Sequence, residues 1–286
     1  MSVEAAFVFP HPPIIVPSVG RGEEAPAIRT VESCRKAASA LVSFDPDVIV
    51  ISSPHASLVP DGFYITTVAH MRGTMERFGA FNSALRARND EALAHAIMAE
   101  GAACGIGFLG SGPFEVETLD HGTYVPLYFV AEAYAQRDGI DVSAGVPDEY
   151  ELPVSIVRMG MSGVSGETHR ELGRCVARAS DALGKRVVYL ASGDCAHRLS
   201  EDGPYGFHPA APQLESVFIE AFSTGNLEAL FEVDAKLRHD AGDCGCRSFQ
   251  MMAGAIEGLD YTCTLLSEEA PFGIGYCVAT LMEEKA

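Results

Sequence analysis

Val187-Val188-Tyr189-Leu190-Ala191-Ser192-Gly193-Asp194-Cys195-Ala196-His197 decides how this chain is built. A short β-branched and aromatic run gives way at once to small and polar residues, the pattern of a strand that delivers its chemistry where it ends. Two other runs do the same. Ala5–Phe9 leads into Pro10-His11-Pro12-Pro13, and Val48–Ser52 leads into Ser53-Pro54-His55. Further strand-like runs are Phe63–Val68, Ile106–Leu109, Val154–Met159, Tyr261–Leu266 and Ile274–Leu281. Helical periodicity separates them: Ile28, Val31, Ala38 and Leu41 share one face, and Leu172, Cys175, Val176, Ala179 and Leu183 another. Further helical stretches cover 89–103, follow Asp120, and fill most of 210–259 with a break near Gly242. Strands alternating with helices predict a three-layer α/β/α domain around a mixed, mostly parallel sheet. The last two strands, with no helix between them, are expected to pair as a hairpin. No linker-like stretch interrupts the chain, so residues 1–286 read as one domain.

The net charge is −19, from 20 basic and 39 acidic residues. That balance argues against nucleic acid and anionic membranes, both of which need basic patches. No apolar run approaches the roughly 20 residues of a membrane span. Met1 to Pro13 lacks the basic stretch of a signal peptide, so the expectation is a cytoplasmic protein. Its 8 cysteines are expected to be reduced thiols. Cys244 and Cys246 form a CxC, and without CxxC pairs a structural zinc site is not expected.

Ligands of open α/β sheets bind beyond the carboxyl ends of the strands. His11, His55 and His197 fall within a few residues of such ends, and His121 opens a helix after the loop Gly110-Ser111-Gly112. A loop histidine alone is as readily a surface or hydrogen-bonding residue. Four at one sheet edge suggest metal chemistry, because neutral imidazole is the commonest metal ligand. Two histidines with one carboxylate suit non-haem iron(II). Asp120, Asp194, Asp240 and Asp243 are the carboxylate candidates, and Asp120 equally suits a helix N-cap. Of the other histidines, His95 and His169 read as solvated helix residues, while His70, His208 and His239 are at most supporting groups. Arg247 reads as one half of an ion pair in preference to a substrate anchor. Cys195, Cys244 and Cys246 read as small buried hydrophobes. Neither Ser192 nor Ser248 sits in a Gly-x-Ser-x-Gly nucleophile motif.

FVFPHPPIIVPSVGRGEE, ISSPH, LDHGTYVPLYF, SGDCAHRLSEDGPYGF, AGDCGCRSF and FGIGYCVA follow one another in this order, between Ala5 and about Ala279. Together they resemble the class III extradiol dioxygenases, the LigB-type catalytic subunits. The likeness is closest to the extradiol-like domain of AmmeMemoRadiSam system proteins, relatives of the Memo family. The resemblance implies a metal, iron(II) or alternatively zinc, held by His11, His55 and a carboxylate at Asp243, where the family has glutamate. It implies an acid–base role for His197 and places His121 toward substrate and oxygen. The implied reaction is cleavage of a catechol-like aromatic diol by O₂. Two alternatives stand beside it: a Memo-like metal-binding module without turnover, and a zinc hydrolase using a bound water. Self-association into a homo-oligomer is also expected.

Overall fold

The computed structural model describes residues 3–111 and 116–283. Gly112 of the predicted loop and both ends of the predicted 1–286 domain lie outside the described residues. Strands are β1 (Val3–Phe9), β2 (Val48–Ser53), β3 (Phe63–Ile65), β4 (His70–Met75), β5 (Ala80–Arg88) and β6 (Phe108–Gly110). They continue as β7 (Val116–Thr118), β8 (Tyr150–Glu151), β9 (Ser155–Gly160), β10 (Val187–Ser192), β11 (Thr262–Glu269) and β12 (Tyr276–Met282). Helices are α1 (Pro17–Gly20), α2 (Ile28–Ser43), α3 (Glu91–Ala103), α4 (His121–Arg137), α5 (Gly166–Leu183), α6 (Ala210–Thr224), α7 (Ala235–Ala241) and α8 (Cys246–Ala255).

Eight strands form the main sheet in the order β11-β12-β1-β10-β2-β9-β3-β6. Its centre, β1-β10-β2-β9, is parallel throughout. The β11–β12 hairpin adds antiparallel strands at one edge, as the sequence predicts, and β3 joins β9 antiparallel at the other side. Alternate residues of the central strands enter two cores. Val48, Val50, Val187 and Tyr189 pack under α3, α5, α6 and α8. Ile49, Ile51, Val188 and Leu190 pack under α2 and α4. Covering both faces is what a parallel sheet needs, and it explains runs that are apolar without alternation.

Four details depart from the sequence reading. The run 63–68 keeps strand pairing only to Ile65, after which the chain leaves for a second sheet of order β7-β4-β5-β8. Ile28 and Leu183, assigned to buried helix faces, are 47% and 42% exposed at the helix ends. His169 is fully buried on α5. Among the described residues Arg247 has no ion pair; it donates to Gln250 Oε1 at 2.9 Å, and burial together with nearby Arg238 lowers its pKa.

Candidate metal centre

Because β1, β10 and β2 are adjacent and parallel, their exits deliver His11, the segment 192–197 and His55 to one edge. The N-terminus of α4 brings His121 to the same place, where Asp120 caps the helix by accepting from the Thr123 N–H at 3.0 Å. Gly122 makes this docking possible, since a Cβ there would lie 2.6 Å from Ser53 Oγ and 3.1 Å from the His55 ring. On the other side, Gly245 ahead of α8 packs on Gly193, where a Cβ would sit 2.2 Å from the Gly245 Cα.

Ring nitrogens of His11, His55 and His121 converge within 4.8 Å of one another. His11 and His55 face each other Nε2 to Nε2 at 3.1 Å. The His55 and His121 rings lie 4.0 Å apart, tilted by 32°. The tautomer of His11 follows from its neighbours. Ser192 Oγ donates its proton to the Gly122 carbonyl, so it accepts from His11 Nδ1–H at 2.9 Å. That leaves the Nε2 lone pair of His11 aimed at the centre, the arrangement of metal-binding histidines generally. Burial, reinforced by the neighbouring histidines, holds His11 well below the usual imidazole range. Burial also lowers His55, and brings His121 down to about 4, with His55 adding to the effect. All three are therefore neutral donors near pH 7.

This donor set fits a metal. Two nitrogens each about 2.1 Å from one ion stand about 3.0 Å apart at a right angle and about 3.4 Å apart at the tetrahedral angle. The 3.1 Å between His11 and His55 lies within that span. A second group shares His11 and adds Asp194 and Cys244. Asp194 is buried, receives the His11 N–H at 2.8 Å, and places Oδ2 3.9 Å from His11 Nε2. Burial raises its carboxyl to about 7. Cys244 Sγ lies 3.6 Å from His11 Nε2, so this thiol faces the centre, whereas Cys195 and Cys246 are buried as small apolar groups.

The structure does not bring Asp243 into either group. Its carboxylate accepts from Arg238 Nε at 2.9 Å and from the Cys246 N–H at 2.9 Å. Asp240 pairs with Lys236. His197 follows Asp194 on the same strand exit, and its N–H donates to the Ala241 carbonyl at 3.1 Å, ahead of Asp243. Its ring stacks on Tyr205 at 5.2 Å, while its Nε2 is buried without a hydrogen-bond partner. Burial lowers His197 to about 4, opposed by the nearby Asp243 carboxylate.

A cavity of about 960 Å³ opens beside His55 and His121, walled by Tyr64, Phe78, Leu109 and Arg158 among others. The Phe78 ring lies 5.6 Å from that of His121. Within that wall, Arg158, 3% exposed, holds Asp120 at 3.1 Å and also pairs with Glu117. Asp120 in turn accepts from Ser53 Oγ, which receives the His55 N–H at 3.2 Å. Sequence reading missed Ser53, Phe78, Arg158 and the supporting role of Ser192. Only Ser192 and Ser53 carried a signal, their position at strand exits.

No helix among the described residues is long and apolar enough to cross a membrane, and all eight cysteines are free thiols. Protein CA_C1420 of Clostridium acetobutylicum is 31% identical over 98% of this chain, which spans 58% of that relative's length. The MEMO1 family protein PAE0818 of Pyrobaculum aerophilum is 26% identical over 49% of the chain and 47% of its own length. The chain thus spans about half the length of the curated relatives it matches. The crystal structure of an uncharacterized protein, JW3007 from Escherichia coli K12, superposes with a TM-score of 0.63 at 16% identity, covering 97% of this chain and 99% of that one, a likeness of fold. The family model for the catalytic LigB subunit of aromatic ring-opening dioxygenase matches residues 5–279, and the chain belongs to that family.

Proposed function

We propose that the protein is a non-haem iron(II) dioxygenase that opens a catechol-like aromatic diol beside its hydroxyls. The observation that carries this reading is the convergence of three neutral histidines, His11, His55 and His121, at a cavity of about 960 Å³ lined by two of them; the buried, unpartnered Nε2 of His197 lies on the neighbouring strand exit. That volume suits a ring-sized substrate. When bound, iron(II) would supply open positions for substrate and oxygen and the Lewis acidity that favours a phenolate. The residues supply the rest. His11 and His55 hold the ion, and His121 either completes the set or turns to the substrate. His197, neutral at pH 7, accepts the phenol proton at Nε2 and returns it later, and the Asp243 carboxylate nearby favours the charged state in between. Tyr205 keeps the imidazole plane fixed. Phe78 stacks on the substrate ring from the side of the second sheet and keeps water out.

A second reading, a Memo-like metal-binding module, is supported by the Arg238–Asp243 pair, which occupies the carboxylate that would otherwise be the third ligand. A zinc hydrolase would use the same donors. One experiment separates these readings: anaerobic purification, loading with iron(II), and O₂ uptake with a panel of catechols. Iron at one per chain with O₂ consumption and a yellow ring-opened product is the expected outcome. Metal binding without O₂ uptake for any diol would move the assignment to the binding module or hydrolase.

A further inference from the structure

A second chemically loaded cluster lies between α3 and α5, outside the histidine centre. Cys104, the residue that ends α3, is exposed, while Cys175 on α5 is buried. Their sulfurs and a Glu171 carboxylate oxygen lie within 4.8 Å of one another. One guanidinium nitrogen of Arg178 serves all three, at 3.3 Å from Cys104 Sγ, 3.1 Å from Cys175 Sγ and 3.0 Å from Glu171 Oε1. Arg178 is itself anchored by Glu100 at 2.9 Å. A donor set of two thiols and a carboxylate suggests a soft metal at first sight. The guanidinium already sits against both sulfurs, so a cation would meet a fixed positive charge. The Cys104 thiol donates to Glu171 Oε1 at 3.4 Å, and two thiols this close, one open to solvent and one sheltered, are arranged for oxidation to a disulfide.

We propose that Cys104 and Cys175 form a reversible disulfide in response to a hydroperoxide, with Cys104 as the attacking thiol and Cys175 as the resolving one. In the first step the Cys104 sulfur attacks the hydroperoxide. An S–O bond forms to the terminal oxygen, the O–O bond breaks, and the thiol proton passes to the departing oxygen, which leaves as the alcohol, or as water from hydrogen peroxide. The product is a sulfenic acid at Cys104. In the second step Cys175 attacks that sulfur, the S–O bond breaks, and water leaves as the S–S bond forms. Each disulfide consumes one hydroperoxide, which accepts the two electrons. Burial pushes the Cys175 thiol up to about 12, which keeps it out of direct reaction with oxidant in solution. It reacts when the modified Cys104 is brought against it. The bond would tie the end of α3 to α5 just before β6, whose Leu109 and Gly110 line the cavity wall. The proposal does not depend on the dioxygenase reading.

The test uses the reduced full chain with tert-butyl hydroperoxide and a chelator of free iron. Titratable thiols should fall from eight by two per chain, and non-reducing peptide mapping should join the Cys104 and Cys175 peptides. Dithiothreitol should restore both thiols. In Cys175→Ser the oxidation should stop at a dimedone-reactive sulfenic acid on Cys104, and in Cys104→Ser the Cys175 thiol should survive. Unchanged thiols, a bond joining any other pair such as Cys195 and Cys277, or Cys104 oxidised without a cross-link would each overturn the proposal.

Discussion

Ser192 decides which nitrogen of His11 faces the centre, and it does so by being an acceptor to one partner because it is a donor to another. Removing its hydroxyl releases the Nδ1 proton to either nitrogen and lets the ring turn. Ser192→Ala should therefore weaken metal binding by about 10–100-fold, the usual cost of losing such a support, measured by competition with a chromophoric chelator. His11→Ala should lose the metal altogether, whereas His197→Ala should keep it and lose turnover; equal metal loss in both variants would refute that division of labour. Asp243→Asn is the informative third case. With its carboxylate held by Arg238 and the Cys246 N–H, the variant should retain metal at the wild-type stoichiometry, and metal loss would show that Asp243 leaves Arg238 to become a ligand. The histidines were legible in the sequence because each follows a strand or opens a helix. The orientation of Asp243 was not, since a residue just ahead of a helix can turn either toward a site or back to cap its own helix.

At the scale of elements, the site depends on how firmly α4 is fastened to the sheet. Arg158 on β9 reaches Asp120 and Glu117, and also donates to the Thr118 carbonyl at 3.0 Å and to Thr66 Oγ1 at 3.2 Å. Through Asp120 the same guanidinium steadies the Ser53 hydroxyl beneath the His55 backbone. Arg158→Met leaves two mostly buried carboxylates without a cation, so it should cost about 3 kcal/mol in urea unfolding. Glu117→Gln, which keeps the Asp120 pair, should cost less. The central parallel strands were readable because burial on both faces leaves uninterrupted apolar runs. The second sheet was not. In β4 the buried positions are Met71, Gly73 and Met75, and in β5 charged or polar residues alternate irregularly with alanine and leucine. Neither carries the β-branched pattern that marks a strand, so the element that brings Phe78 to the cavity had no sequence signal.

Over the whole molecule, two buried titratable groups away from the metal donors bend stability in opposite directions with pH. His169 Nδ1–H donates to the Ser165 carbonyl at 2.8 Å, while its Nε2 accepts from the Ser162 N–H at 3.3 Å. A second ring proton would point at that N–H, and burial sets the pKa at about 3. The unfolded chain protonates near the ordinary value of about 6.5, so it binds the proton first, and the stabilisation is lost as pH falls from about 6.5 toward 3. Glu215 is the mirror image. Burial raises it to about 7, the native state binds the proton first, and stability is lost as pH rises from about 4.5 through 7. A shift of that size corresponds to roughly 3 kcal/mol at full development. Glu215→Gln keeps an oxygen for the Ala196 N–H, which Glu215 accepts at 2.9 Å. It should therefore gain on the wild type in urea unfolding between pH 5 and pH 8. His169→Gln should flatten the acid limb between pH 6.5 and pH 4 and leave the alkaline limb alone. An unchanged alkaline slope in Glu215→Gln would mean that the carboxyl ionises in the native state without cost, which its burial between α6 and the 194–197 segment does not permit.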